Sequence, residues 1–291
     1  MGQCHASLLT SRGVLRIQGP DSRKFLQGLI TNDIGKAQGT QAIHAGLLSP
    51  QGKILFDFFV VPAGDGFLLD VAQHKAAELL KRLGFYRLRA AVEMIEEPSL
   101  AAMAAWGGTL RLPESGSVFA DPRLSELGFR LLVPKGTKAE DIGCELAQEL
   151  DYHAARIRLG VPEGGRDYAF GETFPHEALF DQLNGVDFAK GCYIGQEVVS
   201  RMEHRSTARK RIVPVEGEAP LPASGTSVEV DGAAIGALGS VSGASGLALI
   251  RLDRAEEALA SGKQLTAGGI KLALRRPAFA RFEMPVKGAT A

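Results

Sequence analysis

The stretch Lys190-Gly191-Cys192-Tyr193-Ile194-Gly195-Gln196-Glu197 puts an amine and a thiol two residues apart, between glycines and ahead of a carboxylate. Val198, Val199 and Met202 follow at the spacing of one apolar helix face, with Glu197 and Arg201 four apart on its surface. A thiol in a glycine-bounded turn, beside a cation and just before a helix, sits where the thiolate is favoured. The same turn offers backbone N–H groups to an anion or a carbonyl. The plainer reading is a buried cysteine in a turn, the common fate of a single cysteine. The octapeptide as a whole, more than the cysteine, argues for a site.

Working outward, the octapeptide continues a run that begins Asn184-Gly185-Val186-Asp187-Phe188-Ala189. Upstream stand Arg156, Gly160-Val161-Pro162-Glu163-Gly164 and the pair Pro175 and Glu177; downstream come Arg201 and the basic run ending Arg209-Lys210-Arg211. Near the start, Gly19-Pro20-Asp21, Phe25-Leu26-Gln27-Gly28 and Thr31-Asn32-Asp33 open the pattern. Together these pieces resemble the signature of the YgfZ-type folate-binding proteins. Those proteins are relatives of the glycine-cleavage T-protein, an aminomethyltransferase, and their mitochondrial members help mature iron–sulfur proteins. The octapeptide is highly specific; the last third of the chain matches only in character.

The resemblance implies an α+β fold: a three-lobed T-protein-like cloverleaf with two mixed, ferredoxin-like α+β lobes and a small C-terminal β-barrel. Residues 1–45 with 145–211 would form the discontinuous lobe that carries the signature, 46–144 the second lobe, and 212–291 the barrel. It implies tetrahydrofolate in a central channel, with Glu177 facing the pterin N–H edge and Tyr193, Gln196, Glu197 and Arg201 as further contacts. Cys192 would be a redox thiol or a thiolate ligand, with the charge of Lys190 nearby. One cysteine cannot hold an iron–sulfur cluster, so a transient cluster shared with an A-type carrier or scaffold protein is expected. The rival reading is a folate-dependent aminomethyltransferase, which needs a carboxylate as general acid or base. T-proteins carry an aspartate or similar residue where this chain has Cys192. They also carry an asparagine-rich segment that has no counterpart around Asp70 and His74-Lys75.

Composition agrees with this reading without suggesting it. At 291 residues two or three compact units are expected. With 33 basic and 33 acidic residues the net charge is zero, which points to neither nucleic acid nor a membrane surface. Cys4, Cys144 and Cys192 are widely separated and odd in number, so neither a disulfide framework nor a self-contained zinc or cluster site is expected. The N-terminus shows no apolar signal core, and no segment approaches the ~20 apolar residues of a membrane span. The expected compartment is reducing: the cytoplasm, or the mitochondrial matrix if the source is eukaryotic.

Periodicity gives strands at 14–18, 43–48, 53–61 and 67–71. The Ser49-Pro50-Gln51-Gly52 turn joins two of them. Helices are expected after Asp21 or Ser22 as N-cap, from Ala76 to a stop at Gly84, and near 138–150, where Cys144 would be core. After Pro214 come short strands, with Asp231-Gly232 as a hairpin signal, which read as an all-β barrel. Gly46 to Lys53 fails as a phosphate loop, because the glycine spacing is one too long and Ile54 replaces Ser or Thr. The six histidines show no ligand spacing. The basic run from Arg201 to Arg211 reads as a solvated face, or as a contact for the glutamate tail of a folate.

Overall fold

The computed structural model describes residues 2–205 and 208–285. The chain divides into two compact units: Met1–Tyr152 with Leu183–Val198, and His153–Gln182 with Val199–Ala291.

The first unit holds two five-stranded sheets. One has the order β3-β4-β5-β2-β6, from Ile43–Leu48, Ile54–Ala63, Gly66–Ala72, Arg12–Gln18 and Glu93–Glu96. The long apolar run of β4 is buried on both faces, as is β5, so neither shows the alternation of a half-exposed strand. Their turn has Gly64 at φ 58°, and at Gly66 a Cβ would lie 2.2 Å from the Ile17 carbonyl oxygen. Helices α1 (Ser22–Gln27) and α2 (Ala76–Arg87) supply Phe25, Leu26, Leu79 and Leu83 to a core with Leu15, Ile17, Phe56 and Phe58. Asp21 is the N-cap residue of α1, one of the two expected, although its carboxylate accepts from Ala91 N and not from a helix amide. The expected stop of the next helix needs correcting. Helix α2 runs through Gly84, whose φ is not positive, and stops where Leu88 turns to φ 44°. One exposed glycine costs only about 1 kcal/mol, which the burial of Leu79 and Leu83 outweighs.

The other sheet has the order β10-β1-β7-β9-β8, from Glu145–Leu146, His5–Leu8, Leu100–Trp106, Phe129–Pro134 and Ser117–Ala120. Only β1 and β10 pair in parallel; the other neighbours are antiparallel. Residues 138–150 are not a helix: they form a short turn, β10 and the first residues of α3 (Glu149–Leu159). The pairing sets Cys4 beside Cys144, and a disulfide joins them across 140 residues of sequence. Cysteine spacing could not foresee this, because a sheet brings distant segments into register. β1 joins the strands that follow residue 98 and β2 those that precede it, so two strands expected in one lobe with 145–211 belong to different sheets.

In the second unit, six strands close a barrel in the order β11-β14-β13-β12-β15-β16. They are Lys210–Gly217, Ser245–Arg251, Ala233–Ser242, Ser227–Val230, Leu265–Ala267 and Ile270–Leu274. Asp231 and Gly232 have φ 49° and 79°, the left-handed pair that a two-residue hairpin requires. Val213, Val215, Val228, Leu238 and Ile250 fill the interior. Helix α5 (Leu252–Ala260), absent from the all-β expectation, packs Ala255 and Ala258 against them. Residues 286–291 of the expected barrel lie outside the described residues. Among the described residues, no helix is long and apolar enough to cross a membrane.

Candidate functional site

The signature begins in the first unit. Asn184, at φ 53°, gives its carbonyl oxygen to Asn32 Nδ2 (2.7 Å), and the Gly185 carbonyl accepts from Thr31 Oγ1 (2.6 Å). Asp187 N then donates to the Thr31 carbonyl (3.0 Å). Its carboxylate closes a tight loop: Oδ1 accepts from Ala189 N (2.8 Å) and Lys190 N (3.2 Å), while Oδ2 pairs with Lys36 (2.9 Å). Burial would raise the Asp187 carboxyl, but the hydrogen bond from Lys36 and the two amides hold it below its ordinary range.

Lys190 does not stand beside the thiol, as the spacing suggested. Its side chain turns inward and is buried. Nζ donates to the carbonyl oxygens of Gln27 (2.8 Å), Ile30 (2.6 Å) and Asn32 (3.0 Å). An ammonium has three donors, so all are engaged, one by the last carbonyl of α1, which lacks a helical partner, and two by carbonyls of the segment that follows it. The ring of Tyr193, also buried, lies 5.1 Å from Nζ. Burial pushes the Lys190 amine down to about 8, against the pull of Asp33 and Asp187, and pushes the Tyr193 phenol up.

Past Lys190 the chain rises into solvent, and Gly191 and Cys192 are exposed. It is caught again by Ile194, packed on the sheet core, and by Gly195. Gly195 has φ 80°, and a Cβ there would meet the Ser49 carbonyl oxygen at 2.6 Å. Nothing lies within 4 Å of a Cβ built at Gly191. The two flanking glycines thus differ: one is demanded by packing, the other leaves the crest bare. Gln196 starts α4 (Gln196–Arg205), its N–H donating to the Tyr193 carbonyl (3.3 Å). Glu197 and Arg201 are exposed on that helix. Ser206 and Thr207 of the basic run lie outside the described residues. Among the described residues, Cys192 is the one cysteine outside a disulfide.

Glu177 belongs to the second unit, where it is half-buried. Its Oε2 accepts from Phe174 N (2.8 Å) and its carbonyl from Ile212 N (2.9 Å). In the same unit His176, Asp181 and Glu203 bring ligand-type atoms within 4.8 Å of one another, a grouping that histidine spacing did not reveal. Both Asp181 oxygens are taken by Arg211 (2.9 Å each), and His176 Nε2 meets Glu203 at 3.0 Å, so an ion pair and a hydrogen bond account for the group.

Sequence reading missed a cavity of about 630 Å³ in the first unit, beside the start of the signature. Asn32, Lys36, His44, Phe119, Asp121 and Asn184 are among its walls. His44 is buried and pushed down to about 4 by that burial and by the Arg123 charge, so it is a neutral imidazole. Behind it, Asp70 accepts from Arg12 Nε (2.6 Å) and Arg130 (3.2 Å). Asp121 pairs with Arg123 (2.7 Å), and Tyr152 Oη accepts from Arg123 and Arg130 (2.9 and 2.8 Å). All three guanidinium groups lie within 5.9 Å of the Phe59 ring centroid. Burial would raise Asp121, yet the Arg123 charge and hydrogen bond keep it low. Arg12, Asp70 and Arg130, charged positions within strands, were the available sequence signal.

The fold matches that of a glycine cleavage system aminomethyltransferase T from Bartonella henselae. The TM-score is 0.75 over 97% of this chain and 88% of that one, at 16% identity, which establishes an aminomethyltransferase T-type fold. Residues 209–282 match the family described as the CAF17 C-terminal beta-barrel domain. The human protein named iron-sulfur cluster assembly factor IBA57, mitochondrial, is 35% identical over 270 residues, covering 83% of this chain and 76% of that protein. The Neurospora crassa homologue is 34% identical over 244 residues, and the match spans 56% of its length. The chain belongs to the family of IBA57 iron–sulfur cluster assembly factors.

Proposed function

We propose that the chain is an accessory factor for assembly, insertion or repair of iron–sulfur clusters in [4Fe–4S] enzymes. In this reading Cys192 lends one thiolate to a cluster whose other ligands belong to a partner. The observation that carries it is the exposed thiol at the crest of a loop fixed on both sides. A single thiolate completes, and cannot build, a cluster site, so the partner is a carrier or scaffold of the A type. The relatives' names support the assembly role, and they are mitochondrial proteins. They give no support to the cytoplasm; the matrix is the expected place if the source is eukaryotic. One-carbon transfer has only the likeness to the aminomethyltransferase at 16% identity behind it, which carries fold and not activity.

Tetrahydrofolate, or a derivative, belongs to the same proposal. Glu177 Oε2 is engaged within its own turn, while Oε1 is left to accept a ring N–H, so the residue fits the edge of a pterin. Tyr193 is buried against Lys190 and supports the loop instead of offering a stacking face. Glu197 and Arg201 are exposed and offer charge.

Complementation of a deletion strain tests the cluster role. Cys192→Ser should lower aconitase-type activity without unfolding the protein, because serine is a poor soft-metal ligand, and should leave glycine-cleavage flux unchanged. Normal aconitase-type activity with lost glycine cleavage would reverse the ranking. Titration calorimetry should show tetrahydrofolate binding weakened roughly 10-fold by Glu177→Ala, as for a charged hydrogen bond. No binding at millimolar folate ends that part.

A further inference from the structure

We infer that Lys190 is a positioning residue: its ammonium, seated in the carbonyl nest behind α1, holds the crest that presents Cys192. The inference rests on the proposed role of Cys192.

Between Asp187 and Ile194 the crest has few restraints of its own. Gly191 and Cys192 are exposed and lie in no regular element, and the space around Gly191 is open. On the C-terminal side Ile194 and Gly195 are fixed by packing. On the N-terminal side Asp187 binds the amides of Ala189 and Lys190. The Lys190 side chain then ties this end to three carbonyls between residues 27 and 32. Tyr193 closes over the same ammonium from the far side of the crest. One buried cation therefore touches both arms of the loop and the end of a helix. Without it, three carbonyls and the Tyr193 face lose their common partner, and two exposed residues gain freedom. With its three donors spent on carbonyls, Nζ makes no hydrogen bond to the thiol and acts on Cys192 through the geometry of the loop.

A nitroxide label tests this, because Cys4 and Cys144 are joined and Cys192 alone takes it under non-reducing conditions. The full chain is labelled as wild type, Lys190→Met and Lys190→Arg, and melting temperatures are recorded beside the spectra. Lys190→Met should raise label mobility roughly twofold or more, on the nanosecond scale of loop motion. Lys190→Arg, which keeps the charge and the donors, should recover most of the wild-type line shape. Unlabelled Lys190→Met should also lower aconitase-type activity in the deletion strain, with Lys190→Arg recovering it. A wild-type line shape in folded Lys190→Met overturns the inference. So does a mobile label with undiminished cluster-enzyme activity when Cys192→Ser is inactive. Should Lys190→Met fail to fold, Lys190→Arg decides: a wild-type line shape supports the anchor, and a mobile label at an unchanged melting temperature refutes it. Full activity of Cys192→Ser would sink the proposed role of the thiol, whereas the line shape would still judge the anchor.

Discussion

Two regions of the first unit bury cations in opposite ways. The signature loop sets one ammonium against three neutral carbonyls and an aromatic face. The junction of the two sheets sets three guanidinium groups around Phe59 and meets them with the carboxylates of Asp70 and Asp121. The junction binds charge with charge across β2, β5 and β9. Losing one member there strands the others in a poorly solvated place. The loop relies on dipoles of the local backbone, so losing its cation should stay local. Stability lives at the junction; the presentation of Cys192 lives in the loop.

The most forceful way to break this comparison is Asp70→Asn. It leaves Arg12 and Arg130 without their shared carboxylate, and urea denaturation should show a loss of about 3–5 kcal/mol. A loss below about 1 kcal/mol would mean that the junction is no stronger than a surface pair.

His44 touches both regions. Its carbonyl accepts from Asn32 Nδ2 (2.9 Å), and its ring lies 5.7 Å from Phe59. Its value falls from 6.5 unfolded to about 4 folded, so the unfolded chain binds the extra proton between those values. The contribution of the neutral ring is complete above pH 6.5 and lost as pH falls toward 4, up to roughly 3 kcal/mol. His44→Gln should flatten that part of the stability–pH curve. An unchanged curve would show that other groups set the acid limit.

The loop is expected to respond more weakly. Gly195→Ala combines φ 80° with a clash on the Ser49 carbonyl and should cost about 2 kcal/mol. Gly191→Ala has open space and should stay within about 0.5 kcal/mol. Equal effects in a paired denaturation experiment would erase the distinction between the fixed and the bare glycine.

The loop was legible in the sequence because its parts lie within fourteen residues; the junction was not. Arg12, Asp70, Asp121 and Arg130 look like scattered charges until the strands pair. The barrel strands and the Asp231-Gly232 hairpin were readable from local alternation and turn chemistry. Helix α5 was not, because an Ala-rich, amphipathic stretch among short strands has no strong start signal. The role of Lys190 was misread for a related reason. Spacing along the chain gives neighbours in sequence, but a side chain can point away from the neighbour two residues on. Cysteine counting failed similarly, as the partner of Cys4 lies on another segment of the same sheet.

That bond between Cys4 and Cys144 makes the first half of the chain a covalent ring that carries β1 to β9, every strand of the two sheets but β10. Pulled from its ends in an optical trap, the oxidised protein should unravel only outside the ring. The loop, a sequence separation of 140, would withhold roughly 460–500 Å of contour length. Adding a reductant should release that length in the same molecule, and a protease cut inside the ring should leave both fragments joined until it does.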